Sequence, residues 1–167
     1  MIIREATIND VDGIAKVHID TWNTTYCNFI SEEYLKSRTY EEQARKWNNR
    51  VFNNTDTKEF IYVVENDDGE IVGFASGSIN TFEEEYDSTL YTIYILKDHQ
   101  RQGIGHRLFK AVSERLKRQG AKYMVVWAFS ENKSSKFYED LGGKLIDKKI
   151  VVKGNNVLEE VSYLFEL

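Results

Sequence analysis

Gln100-Arg-Gln-Gly-Ile-Gly105 joins two segments of opposite character, and no other junction narrows the fold of this chain as much. Upstream, Leu90-Tyr-Thr-Ile-Tyr-Ile-Leu96 is a short apolar and aromatic run, the pattern of a buried strand. Downstream, Ile104, Leu108, Ala111, Val112 and Leu116 recur at helical spacing. A strand therefore feeds a helix through a short loop carrying Gly103 and Gly105. The first N–H groups of a helix have no acceptor inside it, and the helix dipole puts partial positive charge at that end. Glycine lets an anion approach those amides with no Cβ in the way. The junction predicts a phosphate or pyrophosphate cradle, with an ordinary tight turn as the plainer alternative.

Two familiar phosphate motifs fail here. A P-loop requires Gly-Lys-Ser/Thr, whereas Gly105 is followed by His106-Arg107. A dinucleotide fingerprint requires a third glycine where Leu108 stands. The remaining form, Gln/Arg-x-x-Gly-x-Gly after a strand, resembles the acyl-CoA pyrophosphate loop of the GNAT superfamily of N-acetyltransferases. A second segment, Asn132-Lys-Ser-Ser-Lys-Phe-Tyr-Glu-Asp-Leu-Gly-Gly143, resembles that family's other signature, an Asn opening a short helix with Phe-Tyr-Glu and a closing Leu-Gly. Read from its residues alone, it is a short helix with Phe137 and Leu141 on one face and Tyr138 on another. Gly142 stands where a left-handed residue ends the helix.

The resemblance implies an acetyl-CoA-dependent transfer of acetyl to a primary amine by direct attack. It makes Tyr138 the general acid that protonates the departing thiolate, since a phenol of pKa about 10 holds its proton at neutral pH. It implies that the backbone of Ile93, Tyr94 and Ile95 pairs with pantetheine. The loop from Arg101 through Gln102, Gly103, Ile104, Gly105 and His106 would hold the pyrophosphate, with Arg107 adding charge. Asn132 would hydrogen-bond the pantetheine arm, and Lys133 and Lys136 either hold phosphates or are simply solvated. Many relatives place a glutamate near the start of the central strand as base. Thr89 stands there in this chain; Asp87, of the same strand parity, can substitute by way of water, and Glu85 on the loop is another candidate. An amine that arrives partly neutral needs no protein base. Lys97 and Gln100 depart from the commoner proline and arginine. His18-Ile-Asp-Thr-Trp22, Tyr26 and Glu33-Tyr-Leu35 resemble a bacterial branch of unassigned substrate, in which Trp22, Tyr26 and Tyr34 would line the acceptor pocket. A non-catalytic acyl-CoA sensor is the second reading, favoured by the missing glutamate and disfavoured by the retained Tyr138.

The segment order is βαα(α)βββαβαββ. Strands run over Met1–Ala6, Glu59–Glu65, onward to about Ile79 from a hairpin at Asn66-Asp-Asp-Gly69, over Leu90–Leu96 and over Tyr123–Phe129. Thr7-Ile-Asn-Asp10 has the form of a capping box before a helix carrying Val11, Ile14, Ala15, His18 and Trp22. Further helices are expected over Ser31–Lys36, Tyr40–Phe52, the loop to Gln119, and from Asn132; a last hairpin turns at Lys153-Gly-Asn-Asn156. The expected fold is α/β: one GNAT-like domain over residues 1–167, a mixed central sheet flanked by helices on both faces.

Composition bounds the partners. The 167 residues make one sizeable core. A net charge of −5 argues against a general nucleic-acid binder, and no apolar run reaches the roughly 20 residues of a membrane helix. The acidic run Glu83-Glu84-Glu85, with Asp87, can attract a cationic amine or be a solvated loop. One cysteine, Cys27, and no secretory leader fit the cytoplasm. The three histidines make no metal-ligand spacing, and no metal is expected. The resemblance implies a small-molecule or peptide amine as acceptor, and the C-terminal strands and exposed aromatics can support a homodimer.

Overall fold

The computed structural model describes residues 1–81 and 84–167, so Glu83 of the acidic run lies outside the described residues. The strands are β1 (Ile2–Glu5), β2 (Glu59–Glu65), β3 (Ile71–Ile79), β4 (Ser88–Ile95), β5 (Tyr123–Phe129), β6 (Lys144–Lys153) and β7 (Asn156–Glu166). The helices are α1 (Val11–Thr25), α2 (Glu32–Lys36), α3 (Tyr40–Trp47), α4 (Ile104–Arg118) and α5 (Ser134–Asp140). One seven-stranded sheet has the order β1-β2-β3-β4-β5-β7-β6. Its neighbours are antiparallel except β4 and β5, which are parallel and joined by the α4 crossover.

The sheet is covered on both faces, which is why its central strands read as continuous apolar runs instead of alternating ones. On one side Phe60 and Val64 of β2 and Ala75 of β3 pack with Leu108, Val112 and Leu116 of α4. On the other, Ile61, Val63 and Phe74 pack with Ile14 and Val17 of α1 and Trp47 of α3. α3 ends in a π-helical turn at Asn48–Phe52, so the helix expected to reach Phe52 changes its winding after Trp47. The Asn66 hairpin forms as expected: the Asn66 side chain accepts the amides of Asp68 (3.0 Å) and Glu70 (2.8 Å). No helix among the described residues is long and apolar enough to cross a membrane.

β4 starts two residues before the apolar run, at Ser88. The hydroxyls of Ser88 and Thr89 are buried but satisfied, donating to the Tyr123 carbonyl (2.7 Å) and to Asn80 Oδ1 (2.9 Å). Further along, Ser76 pairs with Thr92 but Gly77 pairs with Leu90, which leaves Tyr91 as an extra residue, a bulge in β4. Bulges bend the strand that carries them. On its other side β4 pairs with β5 only at Thr89↔Val125 and Leu90↔Val126. Beyond the bulge the two central strands separate.

Gly77 sits at this bend because a Cβ there would lie 2.8 Å from Val112 Cγ1 and 3.2 Å from the Thr89 carbonyl oxygen. Overpacking of this kind costs about 1–3 kcal/mol. Gly77→Ala is expected to lower the thermal midpoint by several degrees, as read by circular dichroism. An unchanged midpoint would mean that α4 is not held this closely to the sheet.

Candidate active site

The gap between β4 and β5 begins after Leu90 and Val126, and the backbone alternation of β4 decides which groups face it. The Leu96 amide donates to the Val72 carbonyl on the β3 side. Leu96 and Tyr94 therefore turn their backbone groups toward β3, and Ile95 and Ile93 turn theirs into the gap. Of the three residues expected to pair with a pantetheine arm, two offer peptide groups to it. Tyr94 contributes its side chain to the α1 face instead, where its hydroxyl accepts from Trp22 Nε1 at 3.0 Å. Gln100 Nε2 donates to the Ile95 carbonyl at 2.9 Å, so the residue standing in the commoner arginine position closes one end of the open edge.

At that end of β4 the chain passes through a 3-10 turn, Lys97–His99, into the glycine loop. Two residues of the loop are left-handed, Arg101 at φ 63° and Gly103 at φ 77°. Gly103 is the N-cap of α4 and has no side chain to cap it; its carbonyl accepts the Arg107 amide at 3.2 Å. The amides of Ile104, Gly105 and His106 lie in the first helical turn, where no intrahelical acceptor exists. Arg101, Gln102 and His106 are exposed around them, and Ile104 is buried. The two glycines have different tasks. Gly103 supplies the left-handed conformation, whereas a Cβ on Gly105 would come 3.3 Å from the ring of Phe137. Gly105 is small so that α5 can press against the start of α4.

That contact sets Tyr138, the next residue of α5, in a buried position. Burial, reinforced by the phenol of Tyr94, pushes the Tyr138 hydroxyl well above the ordinary tyrosine value, so it keeps its proton throughout the neutral range. Asn132 is engaged within the protein: its Oδ1 accepts the Ser134 amide (3.1 Å) and its Nδ2 reaches the Tyr26 hydroxyl (3.4 Å). It ties α5 to the end of α1. Lys136 is exposed and pairs with Asp140 one turn on at 3.4 Å, while Lys133 is exposed.

On the α1 face, Trp22 and Tyr26 are buried together with Phe129 of β5. Tyr34 is half-buried and packs on the β6–β7 turn, where a Cβ on Gly154 would meet its ring at 2.7 Å. Trp22, Tyr26, Tyr94 and Tyr138 thus come together beside the gap, and Tyr34 stands at the margin. Two charged groups on this face escaped the sequence reading. The side chain of Arg38, between α2 and α3, lies over the Trp22 ring at 4.2 Å. The Glu59 carboxyl is nearly closed to solvent, bound to Arg50 Nε at 2.6 Å with its Oε1 unpartnered, and burial raises its pKa. Nothing in the local sequence marks either; Arg38 depends on how α1 and α3 meet, and Glu59 on how the turn after α3 meets β2.

Asp87 does not reach the gap. It lies before the Thr89↔Val125 pair, on the far side of it from the open edges. Its two carboxylate oxygens accept the amides of Lys122 and Tyr123, each at 2.9 Å, and clasp the start of β5 to the start of β4. The strand parity that suggested a base is overruled by this hydrogen bonding, which assigns Asp87 a structural task.

With this geometry in view, the comparisons with known proteins agree among themselves. A model of the Acetyltransferase (GNAT) family matches residues 19–142. The chain is similar to the uncharacterized N-acetyltransferase YuaI of Bacillus subtilis, 40% identical over 138 residues, 82% of this chain and 76% of that protein. It is also similar to spermidine N(1)-acetyltransferase of Thermoplasma acidophilum, 23% identical over 163 residues and 96% of each chain. The fold matches that of the crystal structure of PaiA N-acetyltransferase from Thermoplasma acidophilum in complex with coenzyme A. There the TM-score is 0.75 at 22% identity, covering 95% of this chain and 96% of that one.

His18, at the centre of the α1 face, gives the site a pH signature. Burial, with the charges of Arg38, Arg50 and Lys46, lowers its pKa to about 3. The unfolded chain takes up a proton near pH 6.5 and the folded chain does not until about pH 3. Stability is therefore whole above pH 6.5 and falls as the pH drops from 6.5 toward 3. Thermal melts from pH 7 to 4 are expected to fall more steeply for the native protein than for His18→Gln. Parallel curves would show that His18 titrates normally in the folded state.

Proposed function

The chain belongs to the acetyltransferase (GNAT) family, and on that premise we propose that it moves acetyl from acetyl-CoA to a primary amine within the β4–β5 gap. The observation that carries this reading is the end of β4–β5 pairing at Leu90↔Val126, which leaves the peptide groups of Ile93 and Ile95 open beside a buried Tyr138. The gap opens toward the N-terminus of α4, so the residues present fit an elongated acyl-CoA. Ile93 and Ile95 would pair with the pantetheine arm as a neighbouring strand would. The amides of Ile104, Gly105 and His106 would take the pyrophosphate, with Arg101 and Arg107 adding charge.

Acetyl-CoA supplies the thioester. The neutral amine attacks its carbonyl carbon, a C–N bond forms and the C–S bond breaks. Tyr138 gives its hydroxyl proton to the leaving sulfur, and the proton shed by the attacking nitrogen restores the phenol. The high proton affinity of the buried Tyr138 suits it to hold that proton until a thiolate develops. An amide of β4 facing the gap polarises the thioester carbonyl as an oxyanion hole does. Glu59, the buried carboxylate on the acceptor face, is a better candidate than Asp87 to receive the ammonium proton, through water.

Amine acetylation is also what the name of the spermidine relative describes. The sensor alternative keeps the binding site and dispenses with the proton transfer, so one variant separates the two. Calorimetric titration is expected to give 1:1 binding of acetyl-CoA at about micromolar affinity. Tyr138→Phe should retain that binding and lose about 10²–10⁴-fold in thiol release with an amine acceptor. No binding at millimolar acetyl-CoA would overturn the reading of the gap, and full turnover in Tyr138→Phe would overturn the role of the tyrosine.

A further inference from the structure

The acceptor face contains a cluster that is rich in hydrogen-bond donors and poor in acceptors. Arg38 Nη2 contacts Gln43 Oε1 at 3.0 Å and His18 Nε2 at 3.1 Å. Arg38 Nη1 is shut off from water and has no partner. The other nitrogen of the same imidazole, His18 Nδ1, faces the indole N–H of Trp47 at 3.0 Å. A neutral imidazole has one N–H and one acceptor nitrogen. It cannot accept from Arg38 and from Trp47 at once, so one of those two contacts sets a donor against a donor. Protonating His18 makes matters worse, for then neither nitrogen accepts.

The charge is as poorly balanced as the hydrogen bonding. Burial lowers the pKa of the Arg38 guanidinium, and no carboxylate of a described residue is among the groups that oppose that shift. The Trp22 ring, 4.2 Å below the guanidinium, offers a cation–π contact. It satisfies the face of the group and does nothing for the N–H donors in its plane, of which Nη1 has no acceptor. Elsewhere in this fold even more exposed guanidinium groups are paired with carboxylates. Arg4 binds Asp10 and Glu65 at 2.7–2.9 Å, and Arg50 binds Glu59 at 2.6 Å. Arg38 stands apart from them. A buried cation with too few acceptors is costly unless something else supplies an anion.

We propose that the acetyl acceptor is an amino acid or a similarly small amino carboxylate, and that Arg38 binds its carboxylate. This rests on the acetyltransferase reading of the gap and adds the class of acceptor to it. A carboxylate brings acceptors without donors and a negative charge, which is what Arg38, Trp47 and His18 lack between them. Its planar geometry suits a guanidinium fork. The path from there to the reacting centre is short in residues: Arg38 stacks on Trp22, Trp22 donates to the Tyr94 hydroxyl, and Tyr94 stands on the β4 edge of the gap. A polyamine, with cations at both ends, would put a second positive charge against Arg38. The same cluster therefore selects against the acceptor that the spermidine relative's name describes.

The test is thiol release from acetyl-CoA with the standard L-amino acids, their α-carboxamides, and putrescine and spermidine as acceptors. For the best amino acid, kcat/KM is expected to exceed that of its carboxamide by about 10- to 100-fold, with the polyamines lower still. In Arg38→Gln that ratio should fall toward one, with the loss falling on the acid and acetyl-CoA affinity retained. Arg38→Lys, which keeps the charge and loses the fork, should keep part of the preference. The native protein's ratio is decisive even if a variant fails to fold. Carboxamides or polyamines used as well as the acids would overturn the proposal, as would a preference that survives Arg38→Gln. No turnover of any panel member with acetyl-CoA bound would overturn it too, leaving the gap as a binding site. Failure of acetyl-CoA to bind would instead sink the reading on which the proposal rests.

Discussion

Backbone hydrogen bonding between β4 and β5 stops at Leu90 and Val126, in the middle of a seven-stranded sheet where continued pairing would be expected. Unpaired peptide groups at the centre of a fold are costly, so the separation has to be enforced from outside. On one side the bulge at Tyr91 bends β4, and the missing side chain of Gly77 lets α4 and the Thr89 carbonyl crowd that bend. On the other, β5 is held along its whole length by β7 and cannot follow. Below the separation, the Asp87 carboxylate clasps the start of β5 and keeps the two strands joined where they still pair. The site is a consequence of where the sheet is allowed to come apart.

The two faces of the sheet then divide the work. On the α4 side, the glycine loop turns helix amides toward the end of the gap, and Gly105 lets Phe137 of α5 press close to them. The neighbouring Tyr138 is thereby buried and keeps its proton. On the α1 side, the wall is aromatic and carries the polar cluster of Arg38, His18 and Gln43. Burial drives the histidine to stay neutral. Low local polarity thus serves both sides: it keeps a phenol protonated on one and makes an under-satisfied guanidinium valuable on the other.

How much of this could be read from the chain follows from how local each feature is. The strand, loop and helix around Gly103 are written in consecutive residues, and so is the Asn66 hairpin; both formed as expected. A family pattern singles out Trp22, Tyr26 and Tyr34 as acceptor-pocket residues; that the first two lie near Tyr94 and Tyr138 while Tyr34 stands at the margin came from the structure. Asp87 misled because strand parity says which way a side chain points and nothing about what it meets, here two amides from the far end of the α4 crossover. Gly105 was legible as a glycine but not for its reason, since Phe137 reaches it from another helix. Arg38 and Glu59 were invisible for a similar cause. Their significance is a missing partner, and a missing partner is a property of the assembled neighbourhood.

The central separation has a further consequence. An intact sheet has two edges, but one parted at its middle has four along the parted length, and the inner two run beside Ile93 and Ile95. Exposed edges are templates for stray strand addition, the first step of many aggregates. An elongated guest lying in the cleft caps those edges as a missing strand would, and whatever binds only the folded chain stabilises it by mass action. On the proposed reading of the gap, the supply of acyl donor would set the protein's persistence as well as its turnover.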